Sequence, residues 1–304
     1  MVSPPGLVDS VSYAVQCAGA EVYRVPAGSP ERAVRRPRPV ETAPAGELEL
    51  SVGRTEGLTR ALLLTCLVEL LQEDGRELRV RGDSAEHLRV FENLPGVSTV
   101  QVDSVGETRP SSVHGGLHPA QLVQELHCGR SRTFPAPRLS LSRAEVDWGW
   151  RMRDLLPHSR PVLLLTTVDH TGLLWDAPIA DTLERTCDAL AGGATCLHVC
   201  LSGRKHSEPL RMSLDPAPWV PDAPLENALV FRNLTVRQMI ALMRFCDAYV
   251  GADRFLAGVA KAFHVPTFLF VDKAELHVAR TSPHHWGRSR LCWYPGQRLC
   301  CPST

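Results

Sequence analysis

The sequence predicts an α/β protein with mostly parallel sheets and two domains. Short apolar runs typical of strands alternate with amphipathic runs typical of helices, and the alternation restarts at Pro161. The 304 residues are enough for two domains of ordinary size. The composition, 44% hydrophobic and 22% charged, is that of a globular protein able to bury two cores.

The first 46 residues are expected to form an N-terminal arm and linker. Residues 26–46 are rich in proline and alanine and show no apolar period, which is typical of a linker. Residues 12–25 are predicted to form a small hairpin around Ala18 and Gly19. We therefore expect residues 1–46 to stand apart from the two α/β domains.

The first α/β domain is predicted to span residues 47–158. Its strands and helices follow from apolar runs of period 2 and period 3.6: strands are expected at 47–52, 77–81 and 97–102, and helices at 57–75, 84–94, 118–129 and 143–157. The prolines at 157 and 161 mark the domain junction.

The second domain is predicted to span residues 159–304 and to repeat the pattern. Strands are expected at 161–167, 195–203, 228–234, 248–251 and 267–271, and helices at 182–193, 235–246 and 254–264. Thr235 is the expected N-cap of the helix that follows it. Two such halves predict two Rossmann-like domains facing one another across a cleft, with ligands beyond the carboxyl ends of the strands.

The sharpest local signal is the segment Gly251-Ala252-Asp253-Arg254-Phe255, between a strand and a helix. A helix N-terminus attracts anions, and an arginine there can bind phosphate through paired N–H groups. Asp253 is either a carboxylate that binds ligand hydroxyls or simply the N-cap of the helix. We take Asp253, Arg254 and Phe255 as candidate residues for binding a diphosphate, and Asp253 also as a candidate catalytic residue.

Other loops of the predicted sheets carry further candidates, each with the alternative of being a solvated connection. Thr166, Thr167 and Thr171 follow the first strand of the second half and can line a diphosphate loop. Lys205 and Glu208 follow the next strand and can meet a phosphate and a ribose. In the first half, Glu56 is a candidate general base, or else a helix-start carboxylate favoured by the dipole.

Composition excludes several classes of function. Thirty-three basic residues balance 33 acidic ones, so no overall field favours nucleic acid. No run reaches the ~18 apolar residues of a membrane helix, and no secretory signal is apparent. Cysteines within apolar runs are typical of reduced thiols, so we expect a cytoplasmic protein. We expect no metal, because Cys292, Cys300 and Cys301 lack metal-ligand spacing; the alternative is a metal site that also uses His284 or His285. The sequence has no P-loop and no G-x-G-x-x-G motif, and we expect no cofactor.

The segment from Asn233 to Val271, NLTVRQMIALMRFCDAYVGADRFLAGVAKAFHVPTFLFV, resembles the signature of the family-nine glycosyltransferases, which include the ADP-heptose:lipopolysaccharide heptosyltransferases. The matching positions are Leu234, Gly251, Asp253, Ala260, Ala262 and Val265-Pro266-Thr267. The resemblance implies a GT-B fold, a nucleotide-sugar donor on the second domain and an acceptor on the first. It also implies inversion at the anomeric carbon without a required metal, with a carboxylate of the first domain as base.

The chain departs from the family pattern at several positions. Arg254-Phe255-Leu256 replaces Ser-Gly-Pro, Gly258 stands where the family has histidine, and leucine 173 or 174 stands where it has lysine. The family's Gly-Asp at the first strand corresponds to the region of Glu56. The leading hypothesis is an inverting glycosyltransferase that moves a sugar, such as an ADP-linked heptose, onto a glycan, natural-product or peptide hydroxyl. The alternative is a catalytically degenerate relative that serves as a binding or scaffolding subunit.

Overall fold

The structure is a computed structural model, and it describes residues 6–17, 20–24, 48–52, 57–66, 68, 77–102, 136–156, 160–166, 185–186, 188–190, 193–200, 228–232, 234–271 and 290–293. The chain divides into two compact units. The seven-stranded unit comprises Met1–Ala27 and Arg143–Thr304, and the three-stranded unit comprises Gly28–Ser142. Among the helices within these residues, none is long and apolar enough to cross a membrane.

The three-stranded unit contains a parallel sheet in the order β2-β3-β4, with β2 at Leu48–Val52, β3 at Leu78–Gly82 and β4 at Val97–Gln101. The helices that the structure describes from end to end in this unit are α2 at Gly57–Leu64 and α3 at Ala85–Leu88, and α3 continues into a 3-10 turn at Arg89–Phe91. All three predicted strands of this half are confirmed within one residue at their ends. Helix α2 and helix α3 pack against one another.

The seven-stranded unit is built on a larger sheet. Its strands are β1 at Glu21–Arg24, β5 at Val162–Thr166, β6 at Thr195–Cys200, β7 at Ala228–Arg232, β8 at Ala248–Gly251, β9 at Thr267–Phe270 and β10 at Arg290–Trp293. Their order is β1-β10-β9-β8-β5-β6-β7. Every pair is parallel except β1 with β10. Strands β5, β8 and β9 are buried at every residue, as expected for parallel strands covered on both faces.

The helices of the seven-stranded unit that the structure describes from end to end are α1 at Leu7–Cys17, α4 at Arg143–Asp154, α5 at Val236–Met243 and α6 at Arg254–Ala262. Thr235 is confirmed as the N-cap of α5, where its hydroxyl accepts a hydrogen bond from Gln238 N and the Gln238 side chain accepts one from Thr235 N. Helix α6 packs on β8, β9 and α5. Helices therefore cover the sheet, as the alternating pattern predicts.

The predicted hairpin over residues 12–25 is wrong. Residues 7–17 form helix α1, and residues 21–24 form an edge strand paired with β10. The apolar residues of α1 recur at helical spacing and enter the core of the sheet: Leu7, Val11, Ala14 and Val15. Helix α1 and helix α4 both lie in the seven-stranded unit, whereas the sequence assigned them to the arm and to the first domain.

Candidate functional site

The candidate site lies where the connections of the seven-stranded sheet reverse direction. From β5 the chain moves outward through β6 and β7, and then returns to place β8 on the other side of β5. The carboxyl ends of β5 and β8 therefore form the topological switch point of the sheet, where α/β proteins bind ligands. Thr166 and Gly251 lie opposite one another at these two ends.

Asp253 is the N-cap of helix α6, which begins just beyond the end of β8. Its backbone is extended, with φ −78° and ψ 120°, and its Oδ1 accepts a hydrogen bond from Leu256 N at 2.6 Å. The Asp253 carbonyl accepts the first helical bond, from Ala257 N at 3.1 Å. The side chain is fully buried, so the structure gives Asp253 the N-cap geometry that the sequence left as one alternative.

A buried tyrosine hydroxyl lies beneath this loop. Tyr249 Oη is 2.7 Å from Thr166 Oγ1, accepts from Asp253 N at 3.0 Å and donates to the Asp253 carbonyl at 3.0 Å. Tyr249, Thr166 and Asp253 are all fully buried. Burial, helped by the nearby Asp253 carboxylate, raises the pKa of Tyr249 well above its usual 10.0, so the hydroxyl keeps its proton.

Gly251 is required for this arrangement. Tyr249 and residue 251 point to the same face of the sheet because side chains alternate along a strand. A Cβ at residue 251 would collide with Thr166 Oγ1 and would lie 2.8 Å from Tyr249 Oη. Because Gly251 has no side chain, the Thr166 hydroxyl can occupy the space where a Cβ would lie.

Two further predicted residues lie in the first turn of α6. Arg254, the first helical residue, is exposed at the positive end of the helix dipole. Phe255 is fully buried and packs in the core beneath the helix. Of the predicted residues that the structure describes, Arg254 alone combines charge with exposure.

The remaining predicted site residues lie outside the described residues: Glu56, Thr167, Thr171, Lys205 and Glu208. The structure brings Thr166 and Asp253 together through Tyr249, which the sequence analysis missed. A signal was present, because Tyr249 is a polar aromatic residue in an otherwise apolar strand, two residues before a glycine. A buried tyrosine usually needs a hydrogen-bond partner, and the end of the strand supplies several.

Similarity to known proteins is found only at the level of three-dimensional structure. No protein-family model matches the sequence, and no curated protein matches it. E. coli ADP-heptose lps heptosyltransferase II has 12% sequence identity and a TM-score of 0.54, over 81% of this chain and 89% of that chain. A family 9 glycosyl transferase from Veillonella parvula DSM 2008 has 10% identity and a TM-score of 0.53, over 84% and 87%. The resemblance expected from the sequence is thus confirmed as a likeness of fold: this α/β chain shares its fold with these glycosyltransferases.

Proposed function

We propose that the protein is an inverting glycosyltransferase of GT-B architecture that takes its sugar from a nucleoside-diphosphate donor. The observation that supports this most is the likeness of fold to two glycosyltransferases over more than four fifths of the chain. One of these relatives is named for ADP-heptose, so an ADP-linked heptose is the first donor to test. The buried cysteines that the structure describes in the seven-stranded unit are not in disulfides, which fits the reducing cytoplasm that the sequence favours.

In this proposal the seven-stranded unit binds the donor at its switch point. Arg254 is exposed beside the positive end of helix α6, and an arginine can bind a diphosphate through charge-assisted hydrogen bonds. Thr166 and Asp253 are buried and bonded to Tyr249, so they support the loop instead of touching the ligand. Thr167, Thr171, Lys205 and Glu208 complete the proposed donor side.

The proposed reaction is a single displacement at the anomeric carbon. The acceptor hydroxyl oxygen attacks that carbon, the bond to the diphosphate oxygen breaks, and the configuration inverts. Glu56 is the proposed base that accepts the hydroxyl proton. The charge that develops on the leaving diphosphate is stabilised by Arg254 and by the dipole of α6. No cofactor other than the nucleotide sugar enters this scheme.

One observation favours the second candidate, a non-catalytic binding or scaffolding subunit. The Asp253 carboxylate is buried and holds Leu256 N, and Phe255 fills the position after Arg254 with a large buried ring. Arg254-Phe255-Leu256 stands where the family-nine signature has Ser-Gly-Pro, and these bulkier residues leave less backbone accessible to a ligand. A chain of this kind can keep the fold after losing the reaction.

Calorimetric titration separates the two candidates. The full chain is titrated with ADP, UDP, GDP and ADP-heptose, and Arg254→Ala is compared with Arg244→Ala, which removes another exposed arginine of the same unit. A hydrogen bond to a charged group contributes about 1.5–3 kcal/mol, so Arg254→Ala should weaken binding roughly 10- to 100-fold. Arg244→Ala should leave it unchanged. A folded wild-type sample that gives no heat with any of them supports the non-catalytic candidate.

Transfer itself is then tested with isotope-labelled donor. Release or transfer of the labelled sugar should fall at least a hundredfold in Glu56→Gln, because a positioned base typically contributes about 10²- to 10⁴-fold. Product stereochemistry read by NMR checks inversion. Unchanged turnover in Glu56→Gln would remove Glu56 from the mechanism and leave donor binding to be judged from the titration.

A further inference from the structure

The hydrogen bonds around Tyr249 have one consistent arrangement of protons. A tyrosine hydroxyl has one proton to donate and two lone pairs to accept with. Tyr249 Oη donates its proton to the Asp253 carbonyl and accepts from Asp253 N. Its contact with Thr166 Oγ1 must therefore have Thr166 as the donor. Tyr249 thereby links Thr166, at the end of β5, to the backbone N–H and carbonyl of Asp253, the N-cap of helix α6.

The fold does not need this hydroxyl for packing. A phenylalanine at residue 249 would fill nearly the same volume in the core, and the other strand residues nearby, such as Leu164 and Val250, are purely apolar. Burying a hydroxyl is costly unless every partner is satisfied, and a fully satisfied polar network contributes a unique geometry more than net stability. The network therefore fixes where the loop between β8 and α6 lies.

We propose that Tyr249 is a positioning residue for donor binding: its hydroxyl holds the first turn of α6 at a fixed place relative to β5, so that Arg254 meets the donor diphosphate. The inference rests on the proposed function, because it concerns the same switch-point site. Tyr249 itself is buried and acts through Asp253 and Arg254, without touching the ligand.

The expected consequence is a loss of affinity that stability alone does not explain. Without the hydroxyl, the hydrogen bonds from Asp253 N and Thr166 Oγ1 to Tyr249 Oη are lost, and the loop is less tightly held to β5. The affinity for the donor depends strongly on where Arg254 is held, since a small displacement of its side chain removes charge-assisted hydrogen bonds to the phosphates. Tyr249→Phe should weaken ADP binding at least tenfold.

The chain offers a matched control at the other end of the same two strands. Asp247 Oδ2 accepts from Val162 N at 2.8 Å, and so ties β8 to β5 at their amino ends, away from the switch point. Asp247→Ala should lower the thermal midpoint but leave the ADP dissociation constant within twofold of wild type. Equal losses of ADP affinity in Asp247→Ala and Tyr249→Phe would overturn the positioning role.

A double variant separates stability from position. In Thr166→Val/Tyr249→Phe the Thr166 hydroxyl is no longer buried without its bond to Tyr249 Oη, and replacing both members of a hydrogen-bonded pair costs less stability than removing one. The bonds of Tyr249 Oη to the Asp253 backbone remain lost. The double variant should therefore regain part of the thermal midpoint lost in Tyr249→Phe without regaining ADP affinity. Recovery of both would show that Tyr249 acts through stability alone, and unchanged affinity in Tyr249→Phe would also overturn the proposal.

The same titrations distinguish failure of this inference from failure of the proposed function. If the folded wild-type chain binds none of ADP, UDP, GDP or ADP-heptose, the proposed function fails, and the positioning role fails with it. If the wild type binds ADP and Tyr249→Phe binds it equally well, only the positioning role is lost.

Discussion

Arg237 donates hydrogen bonds to both carboxylate oxygens of Glu145: Nε to Oε1 at 2.6 Å and Nη2 to Oε2 at 2.7 Å. The pair joins helix α5 to helix α4 across 92 residues of sequence. Only 4% of the Arg237 side chain and 19% of the Glu145 side chain are exposed. A fork-shaped contact of this kind fixes how the two helices pack, because both partners are desolvated and geometrically matched.

Breaking this pair should destabilise the seven-stranded unit. Glu145→Ala leaves the Arg237 guanidinium buried without its carboxylate, which should cost about 3–5 kcal/mol of unfolding free energy. Urea denaturation measures the loss. Asp147→Asn on the same helix is the control, because its contact with Arg143 is 3.9 Å long and largely exposed, so the cost should stay below about 0.5 kcal/mol. Equal costs in the two variants would contradict the prediction.

The same two helices approach closely at Gly149. A Cβ at residue 149 would collide with the Phe245 ring and would lie 3.2 Å from the Ala241 carbonyl. Gly149→Ala should therefore cost about 1–3 kcal/mol through overpacking, measured by thermal unfolding. Gly193→Ala meets nothing nearer than 4.0 Å and should be tolerated.

A double-mutant cycle with Phe245→Leu tests the cause of the Gly149 effect. If the ring is the obstacle, shortening it should recover part of the loss, and the two changes should couple by more than about 0.5 kcal/mol. Additive effects would mean that the Ala241 carbonyl, and not Phe245, limits the approach.

Helix α1 should behave as core, not as a detachable arm. Val11 is fully buried in the cluster that contains Leu163, Val250 and Phe268, whereas Tyr13, two residues later, is 70% exposed. Val11→Asp buries an unpaired charge and should cost several kcal/mol, enough to reduce the yield of soluble protein. Tyr13→Asp should be tolerated, as judged from thermal midpoints and soluble yield. Similar midpoints for the two variants would show that α1 does not dock on the sheet.

Stability should decline in alkaline solution because of two buried thiols. Burial raises the pKa of Cys246 and of Cys292 far above the ordinary value of 9.0, so both keep their protons in the folded chain and lose them near pH 9 when unfolded. The unfolded chain then binds fewer protons, so this contribution is complete below pH 9 and falls as the pH rises above it, by about 1.4 kcal/mol per thiol per pH unit.

Urea denaturation in reducing buffer between pH 7 and pH 10.5 measures that slope. Cys246→Ala and Cys292→Ala should each remove one thiol's share of it, whatever they do to stability at pH 7. Cys17→Ala, which removes an exposed thiol, serves as the control for the loss of a cysteine. A slope that survives loss of both buried thiols would assign the alkaline effect to other groups.

The strands of both sheets were predictable because a buried parallel strand has to be apolar along its whole length. Strands β5 and β8 are predictable from the apolar runs VLLLT and AYVG without any tertiary information. The start of α5 is predictable from Thr235 and Gln238, which form a capping box. The hairpin predicted over residues 12–25 was wrong and strand β10 was missed, since a four-residue strand has little pattern of its own. Strand β1 pairs with β10, which lies near the other end of the chain.

At the candidate site, the sequence predicted where the site lies along the chain but not what each side chain does there. It marked residues 251–255 as a turn from strand to helix beside an anion-binding helix start, because local rules govern glycine, cap and dipole. It had no means of bringing Thr166 within 2.7 Å of Tyr249, because that contact joins residues 83 positions apart. Burial likewise depends on the packed sheet, which encloses Asp253 and leaves Arg254 exposed.

By itself, then, the sequence determined the alternation of strands and helices, the start of α6 and the resemblance to family-nine glycosyltransferases, since each depends on residues within a few turns of one another. Only the tertiary structure decided which strands are neighbours, and so where the switch point lies and which hydroxyls meet beneath it. The physical reason is that parallel pairing and burial are long-range: β5 and β8 are joined only after the chain has passed through two other strands.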